Sequence, residues 1–320
     1  MAEKQEKEIE LEDLDGVGGK TAERLKENGL TNLMEIANMK AGELSGKVDG
    51  IGESAAESIV NSAMDLADVG GFETGTEKMK AREKMKKVAT ASEDFNELLD
   101  GGIETQAITE LYGEFSAGKT QIAHHLAVNV QKPEEEGGMD KGAIYIDTED
   151  TFTPERAEQM AEAQGMDAEK ALDNIFVARA FNSDHQMLLA EEAKQICENN
   201  DIGLIIVDSL MAHFRSEYVG RGELAKRQQK LNKHMSTLLK VANAHNVAVV
   251  VTNQVMDNPD QMFGDPTKAI GGNIVAHNCA IIIYLRKGKK DTRVARLEDS
   301  PYLPEGEAVF EISDKGIEDA

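Results

Sequence analysis

Residues 107–120 read Ala-Ile-Thr-Glu-Leu-Tyr-Gly-Glu-Phe-Ser-Ala-Gly-Lys-Thr. The first six, Ala107–Tyr112, form an apolar, β-favouring run. The next eight, Gly113–Thr120, fit G-x-x-x-x-G-K-[ST], and Thr120–Val130 continues in a helical pattern. A glycine-bearing loop between a strand and a helix turns its backbone N–H groups toward a phosphate, and the helix N-terminus adds partial positive charge. Gly113, Glu114, Phe115, Ser116, Ala117, Gly118, Lys119 and Thr120 are therefore the candidate nucleotide-binding residues. Lys119 is expected to reach the β- and γ-phosphates of ATP, and Thr120 to ligate Mg²⁺. The alternative is a chance match in a glycine-containing loop, which the flanking strand and helix disfavour.

Outward from this loop, apolar runs alternate with helical stretches. The expected strands are Ala107–Tyr112, Ala143–Asp147, Ile175–Ala178, Leu204–Asp208, Ala248–Thr252 and Ala280–Tyr284. Helix-like stretches between them include Thr153–Gln164, His185–Glu198 and Leu224–Ala244. Continuous apolar strands alternating with helices predict an α/β fold, a mostly parallel sheet covered on both faces. Ligands of such sheets bind at the carboxyl ends of the strands. Asp208, closing Leu204–Asp208, is placed there to hold magnesium through water. Glu149 follows Ala143–Asp147, expected to neighbour the phosphate-loop strand, and is positioned to orient or deprotonate an attacking water. Gln254, after Ala248–Thr252, can hydrogen-bond a γ-phosphate and report its loss. For each of these three, strand-end capping is the plain alternative.

Residues 1–69 have a different texture. After a polar tail, Leu14–Leu25 is echoed by Val48–Ile59 at an offset of 34, sharing Asp, two glycines, Ala and Glu. Each copy predicts a Gly-x-Gly turn opening a helix. Residues 70–88 read as a linker in which Gly-Gly-Phe72-Glu-Thr-Gly75 isolates one aromatic before a charged run. Residues 89–320 form the α/β core.

The chain has 320 residues, and 35 Lys and Arg against 59 Asp and Glu give a formal charge of −24. This composition excludes collagen, a disulfide scaffold and a wholly disordered chain. The longest uncharged stretch, Ala269–Leu285, is broken by Gly, Asn and His, so no membrane partner is expected. The opening alternation of Glu and Lys is neither a signal nor a transit peptide. The only cysteines, Cys197 and Cys279, lack metal-like spacing and suggest a reducing cytoplasm. The acidic balance argues at first sight against nucleic acid, but cations cluster locally at Arg215, Arg221, Lys226, Arg227 and Lys230. The run Glu77–Lys87 reads as a solvated helix face, and the adjacent His124 and His125 face different helix sides and make poor metal partners.

Five segments together resemble the RecA-like strand-exchange ATPases of archaea. They are GGIETQAITELYGEFSAGKTQ (101–121), YIDTEDTFTPER (145–156), IIVDSLMAHFRSEYVGRGELAKRQQKLNKH (205–234), TNQVMDNPDQMFGDPTKAIGG (252–272) and RLEDSPYLPEGEAVF (296–310). The resemblance covers nearly the whole chain and implies a RecA-like core with a small all-α helix–hairpin–helix domain. It implies DNA-dependent ATP hydrolysis, homologous pairing and strand exchange, and filaments or rings on single- and double-stranded DNA in a nucleoid-associated cytoplasmic setting. Recombination mediators or paralogues are further partners of that class. By the same resemblance Glu149 is the catalytic glutamate, with Lys119 and Gln254 beside it, and Arg156 stacks on adenine. Arg215, Arg221 and Arg227 belong to a first DNA-binding loop over Ser209–Gly222 and its flank. Lys268, Gly271 and Gly272 belong to a second over Asp257–Gly272. Asp299 and Pro304 lie in a cap over the ATP of an adjacent protomer, and Asp299 with His277 is tied to K⁺.

Phe72 and Gly75 match a polymerisation motif that docks one aromatic on a neighbour. Gly16 and Gly18, with Lys20, resemble a hairpin that meets DNA phosphates, although residues 1–70 carry 7 basic and 16 acidic groups, 7 − 16 = −9. The chain departs from the family pattern at Ser116-Ala117, Thr153, Ala269 and Asn273, which leaves the ATPase reading intact and bears on coupling through the second loop.

Overall fold

The computed structural model describes residues 10–67, 72–257 and 267–320. The polar tail, Gly70-Gly71 and the middle of the second loop, 258–266, lie outside the described residues. Contacts within the chain divide it into two units, Met1–Lys84 and Met85–Ala320.

The first unit is helical, with helices Gly19–Glu27, Leu33–Ala37, Ala41–Lys47, Glu53–Leu66 and Gly75–Arg82. Its core gathers Leu14, Leu25, Leu30, Ile36, Leu44, Val48 and Ile59. The echo in the sequence is an echo in backbone geometry. Gly16 and Gly50 both take φ of 82°, a left-handed conformation that favours glycine, and Gly18 and Gly52 are the N-caps of the helices that follow. A Cβ at Gly50 would lie 2.5 Å from the Arg24 guanidinium, whereas space around Gly16 and Gly18 is open. The first turn is thus accessible and the second is packed on by Arg24. Phe72 is fully exposed. Two residues on, Thr74 and Glu77 form a reciprocal capping box that starts the helix at Gly75.

The second unit is built on a nine-stranded sheet. In chain order its strands are β1 (Ile108–Gly113), β2 (Gly142–Asp147), β3 (Ile175–Arg179), β4 (Ile202–Asp208), β5 (Ala248–Asn253), β6 (Ile281–Lys287), β7 (Arg293–Asp299), β8 (Glu307–Ser313) and β9 (Gly316–Asp319). Across the sheet the order is β9-β8-β7-β6-β1-β5-β4-β2-β3. The six strands β6 to β3 are mutually parallel, and β7, β8 and β9 extend the sheet as an antiparallel meander.

β1, β2, β4 and β5 are buried along their whole lengths. Because side chains alternate faces along a strand, Leu204 and Ile206 enter one core with Leu111, Tyr145 and Val250 under the helix Lys119–Asn129. Ile205 and Val207 enter the other with Tyr112, Ile144 and Val249, beneath Ser183–Asn199 and Leu224–His245. At roughly 1.5–3 kcal/mol per buried aliphatic side chain, these two layers dominate the stability of the unit.

All six expected strands are present, but one expectation about their arrangement fails. β2, which precedes Glu149, is not beside β1: β5 and β4 lie between them. The helix Lys119–Asn129 is long enough to cross both, packing against β1, β5, β4 and β2, so consecutive strands need not pair. The meander was not anticipated either. Its strands are charge-rich and only partly covered, with Arg293, Arg296, Glu298 and Asp299 all within β7, so they lack the apolar run of a central strand.

Candidate nucleotide and catalytic site

The carboxyl ends of β1, β5, β4 and β2 meet in a cleft of about 490 Å³. On one side is the phosphate loop. Ser116 (φ 63°) and Gly118 (φ 106°) turn the backbone through the left-handed region. Gly118 is the N-cap of the following helix and has no side chain to accept its first N–H groups, so that end is open to an anionic ligand. Gly113 is required for a different reason: a Cβ there would lie 2.1 Å from the Leu285 carbonyl oxygen on β6. Lys119 Nζ donates to the carbonyls of Gly113 (2.9 Å) and Glu114 (2.8 Å). Burial holds the Lys119 ammonium below its ordinary pKa, opposed by Asp208 and Glu149. The meander supports the loop from behind, Arg293 Nε donating to Ser116 O at 3.2 Å. Within the loop Ala117 is buried and Phe115 is exposed.

The facing side is acidic. Asp147, the last residue of β2, accepts from the backbone N–H groups of Glu149 (3.0 Å), Thr151 (2.8 Å) and Phe152 (2.8 Å). This folds the chain after β2 back over the sheet edge and carries Glu149 past the neighbouring β4 to β5, which β2 does not border. Glu149 Oε1 accepts from Ser209 Oγ (2.8 Å) and Gln254 Nε2 (3.0 Å), so residues following β2, β4 and β5 meet at one oxygen. Asp208 is buried, its Oδ2 accepting from Tyr145 Oη at 2.8 Å and its Oδ1 from Thr252 Oγ1. Both oxygens already have hydroxyl partners, which suits contact with a metal through water. No cluster of three or more metal-ligating side chains occurs among the described residues. Thr120 and Asp208 with phosphate oxygens and water match the way magnesium is usually held.

Arg156 is not a lining residue of the cleft, but it is linked to one that is. Its Nε donates to Gln121 (2.8 Å) and its Nη2 to Ser313 O on β8 (2.5 Å). His124, early in the phosphate-loop helix, also ties the site together. Its Nε2 accepts from Thr153 N at 3.0 Å, so Nδ1 carries the proton and donates to Thr120 O at 2.8 Å.

Both proposed DNA loops leave the same sheet edge. Ser209 follows β4, and the first loop runs through the helix Ala212–Glu217, anchored by buried Phe214 and by Glu217, which accepts from Ser183 N at 2.7 Å. Arg215 and Arg221 are exposed, Arg227 is half-buried, and Lys226 and Lys230 lie 5.6 and 5.4 Å from the Tyr218 ring. The second loop opens from β5 through a two-stranded ribbon in which Val255, Met256 and Asp257 pair with Ala269, Lys268 and Thr267. Gly271 (φ 110°) closes it, where a Cβ would lie 2.5 Å from Val275 and 3.4 Å from Met211.

The structure does not bring the cap into the cleft. Arg293, at the start of β7, pairs with Lys287, but Asp299, at its end, pairs with Ile282. Ile282 in turn lies beside Glu110 near the start of β1. Asp299 therefore lies toward the edge of the sheet opposite the phosphate loop, about 20 Å along the strand from Arg293. Pro304 is in the following segment, and Asp299, Pro304 and His277 are all exposed. Sequence reasoning missed Ser209, Arg293, Tyr145 and Thr252, whose roles depend on strand order and which lack a local motif of their own.

A phosphate loop, an acid-bearing facing edge and helices on both faces define a RecA-like P-loop core. The Rad51 family matches residues 81–320, and a SAM-like helix-hairpin-helix tandem matches residues 8–65. The chain belongs to the Rad51 family. It is 50% identical, over 339 aligned positions covering 97% of this chain and 98% of the relative, to the DNA repair and recombination protein RadA of Haloferax volcanii.

Proposed function

We propose that the protein is a DNA-dependent ATPase that assembles as a helical filament on single-stranded DNA and carries out homologous pairing and strand exchange in recombination and repair. The observation that carries this reading is the division of the site: phosphate loop, Glu149 and Gln254 at one edge of the sheet, Asp299 and Pro304 toward the other. A second copy stacked head to tail supplies the missing cap, and a head-to-tail contact that does not close generates a helix. Phe72 and Gly75, in a linker spanning 70–88, provide the second contact. β3 is an edge strand whose outer side pairs with no strand among the described residues, a place where an extended segment can add.

Within the cleft, Lys119 and the loop N–H groups hold the β- and γ-phosphates of ATP. Glu149 takes the proton of the attacking water, and Gln254 contacts the γ-phosphate. Thr120 and Asp208 would hold magnesium, which would supply neutralisation of phosphate charge. Arg156 packs against the base, and Asp299 with His277 from the next protomer would hold K⁺. Arg215, Arg221, Arg227, Lys268, Gly271 and Gly272 follow the backbone of single- or double-stranded DNA, and Gly16 and Gly18 touch duplex phosphates. Base pairing reads the sequence. Such a protein works at the nucleoid in the cytoplasm, alongside mediators or paralogues.

The rival reading is a regulatory paralogue that binds ATP and DNA without exchanging strands. An exchange assay between circular single-stranded DNA and homologous linear duplex, with ATP and with a slowly hydrolysed analogue, separates the two. Joint molecules are expected with both nucleotides, and complete exchange with ATP. Lys119→Ala is expected to abolish ATP turnover. DNA-stimulated turnover in the unaltered protein without joint molecules favours the regulator.

A further inference from the structure

Glu110 and Asn253 are buried polar residues on adjacent central strands, 1% and 0% exposed, and the chemistry assigned above uses neither. Asn253 Nδ2 donates to Glu110 Oε1 at 2.7 Å and to the Ile270 carbonyl at 2.5 Å. Its Oδ1 accepts from Gln254 N at 2.8 Å. The Gln254 carbonyl accepts from Ile270 N at 3.1 Å. One side-chain amide therefore holds both strands of the ribbon at its base. Immediately before one of them is Gln254, which reaches Glu149; immediately after the other is Ile270, next to Gly271 and Gly272.

We propose that the Glu110–Asn253 pair is a positioning device that couples the base of the second loop to Gln254, so that DNA engaged by the loop sets the catalytic geometry at Glu149. This rests on the function proposed above. An amide suits the task because it accepts from one strand while donating to the other and to the carboxylate below. Glu110 is on β1, three residues before Gly113, so the anchor belongs to the same strand that carries the phosphate loop. If the ribbon moves while Gln254 stays bonded to Glu149, the bonds at Asn253 must break or follow, and a buried amide or carboxylate left without a partner is costly. The ribbon base and Gln254 therefore move together.

Asn253→Ala, Glu110→Gln and Glu110→Leu test this in the full-length protein. In Asn253→Ala the stimulation of kcat by single-stranded DNA is expected to fall about tenfold, with KM for ATP changed by less than about twofold. Exchange of the Ile270 amide with deuterium is expected to accelerate. Glu110→Gln keeps an acceptor for Asn253 and should retain most of the stimulation, whereas Glu110→Leu should lose it. If Asn253→Ala does not fold, the contrast between the two Glu110 variants decides the matter. Equal behaviour of Glu110→Gln and Glu110→Leu, or unchanged stimulation and exchange in folded Asn253→Ala, overturns the device. Absence of DNA-stimulated turnover in the unaltered protein would instead refute the proposed function, and the exchange measurement would still test the pair.

Discussion

Replacing Glu149 by Gln removes the proposed base while disturbing little else. The glutamine side chain has nearly the same volume and still presents one carbonyl oxygen. Ser209 Oγ and Gln254 Nε2, now 2.8 and 3.0 Å from Glu149 Oε1, can keep that acceptor. What is lost is the negative charge and the site that accepts a proton from water. General-base catalysis typically contributes a factor of about 10² to 10⁴, or roughly 3–5 kcal/mol of barrier. DNA-stimulated kcat is expected to fall by that factor. Nucleotide affinity should stay the same or tighten, because a carboxylate facing the triphosphate has gone while Lys119 and the phosphate loop are untouched. Ser209→Ala gives the internal scale. It removes one of two donors to the carboxylate, and a hydrogen bond to a charged group is worth about 1.5–3 kcal/mol, so its effect on kcat should be the smaller. Steady-state phosphate release with and without single-stranded DNA measures kcat, and binding of a fluorescent ATP analogue measures affinity. A Glu149→Gln protein with kcat near the original, or one impaired only in KM, would refute the assignment.

Phe72→Ala should leave a folded protein that scatters light mainly as a monomer, since a central aromatic anchor is commonly worth about 2 kcal/mol or more to an interface; unchanged assembly rules out the anchor. Acid stability offers a test independent of function. Burial holds His125 down to about 3 and His234 to about 4, from 6.5. Their neutral forms are what the fold accommodates, so that stability is present above pH 6.5 and lost as pH falls toward those values, by roughly 1.4 kcal/mol per pH unit for each. Glu110 acts in the opposite sense: burial raises it to about 7 from 4.5, so it gains stability as pH falls from 7 to 4.5 and offsets about one histidine. Denaturant unfolding between pH 5 and 6.5 should therefore show a net loss on acidification, shallower in His125→Gln. Equal slopes in the two proteins would contradict the burial argument.

The parallel half of the sheet was legible because burial on both faces leaves an unbroken apolar run such as Leu204–Val207. The phosphate loop was legible because its constraint is local: Gly118 adopts a left-handed backbone between a strand and the helix it caps. The order of the strands was not legible. Nothing between Gly113 and Gly142 states how many strands the helix Lys119–Asn129 crosses, and Glu149 was assigned beside β1 when its contacts are with residues following β4 and β5. The fold at Asp147 that delivers Glu149 depends on three backbone N–H groups converging on one carboxylate, which a sequence pattern does not display. The meander was obscured for a different reason. None of its strands is an unbroken buried run: β8 reads as exposed Glu307, buried Ala308, exposed Val309, buried Phe310. Arg293, which steadies the phosphate loop, was hidden with it.

Under the proposed function, the meander also gives the acidic chain a way to work on DNA. It reverses direction three times after β6, and the first reversal carries the chain from the phosphate-loop edge back toward the opposite edge, where Asp299 leaves the sheet. One copy therefore has a catalytic edge and a capping edge that cannot meet within the same sheet. Under the proposed function, stacking copies would then be a requirement of the chemistry as well as of assembly. The loops that follow β4 and β5 leave from the same edge as the phosphate loop, so in the proposed filament each added copy would place Arg215, Arg221 and the ribbon bearing Lys268 at a repeating interval. A single basic residue facing a chain of net charge −24 attracts DNA weakly, but a continuous row of such residues displaces counterions at many phosphates at once. The first loop and its flank, 209–230, carry Arg215, Arg221, Lys226, Arg227 and Lys230 against Glu217 and Glu223, so the row is locally basic on a chain that is acidic as a whole. Affinity for DNA should accordingly arise from the assembled filament more than from the single chain, which joins ATP binding between copies to grip on the strand.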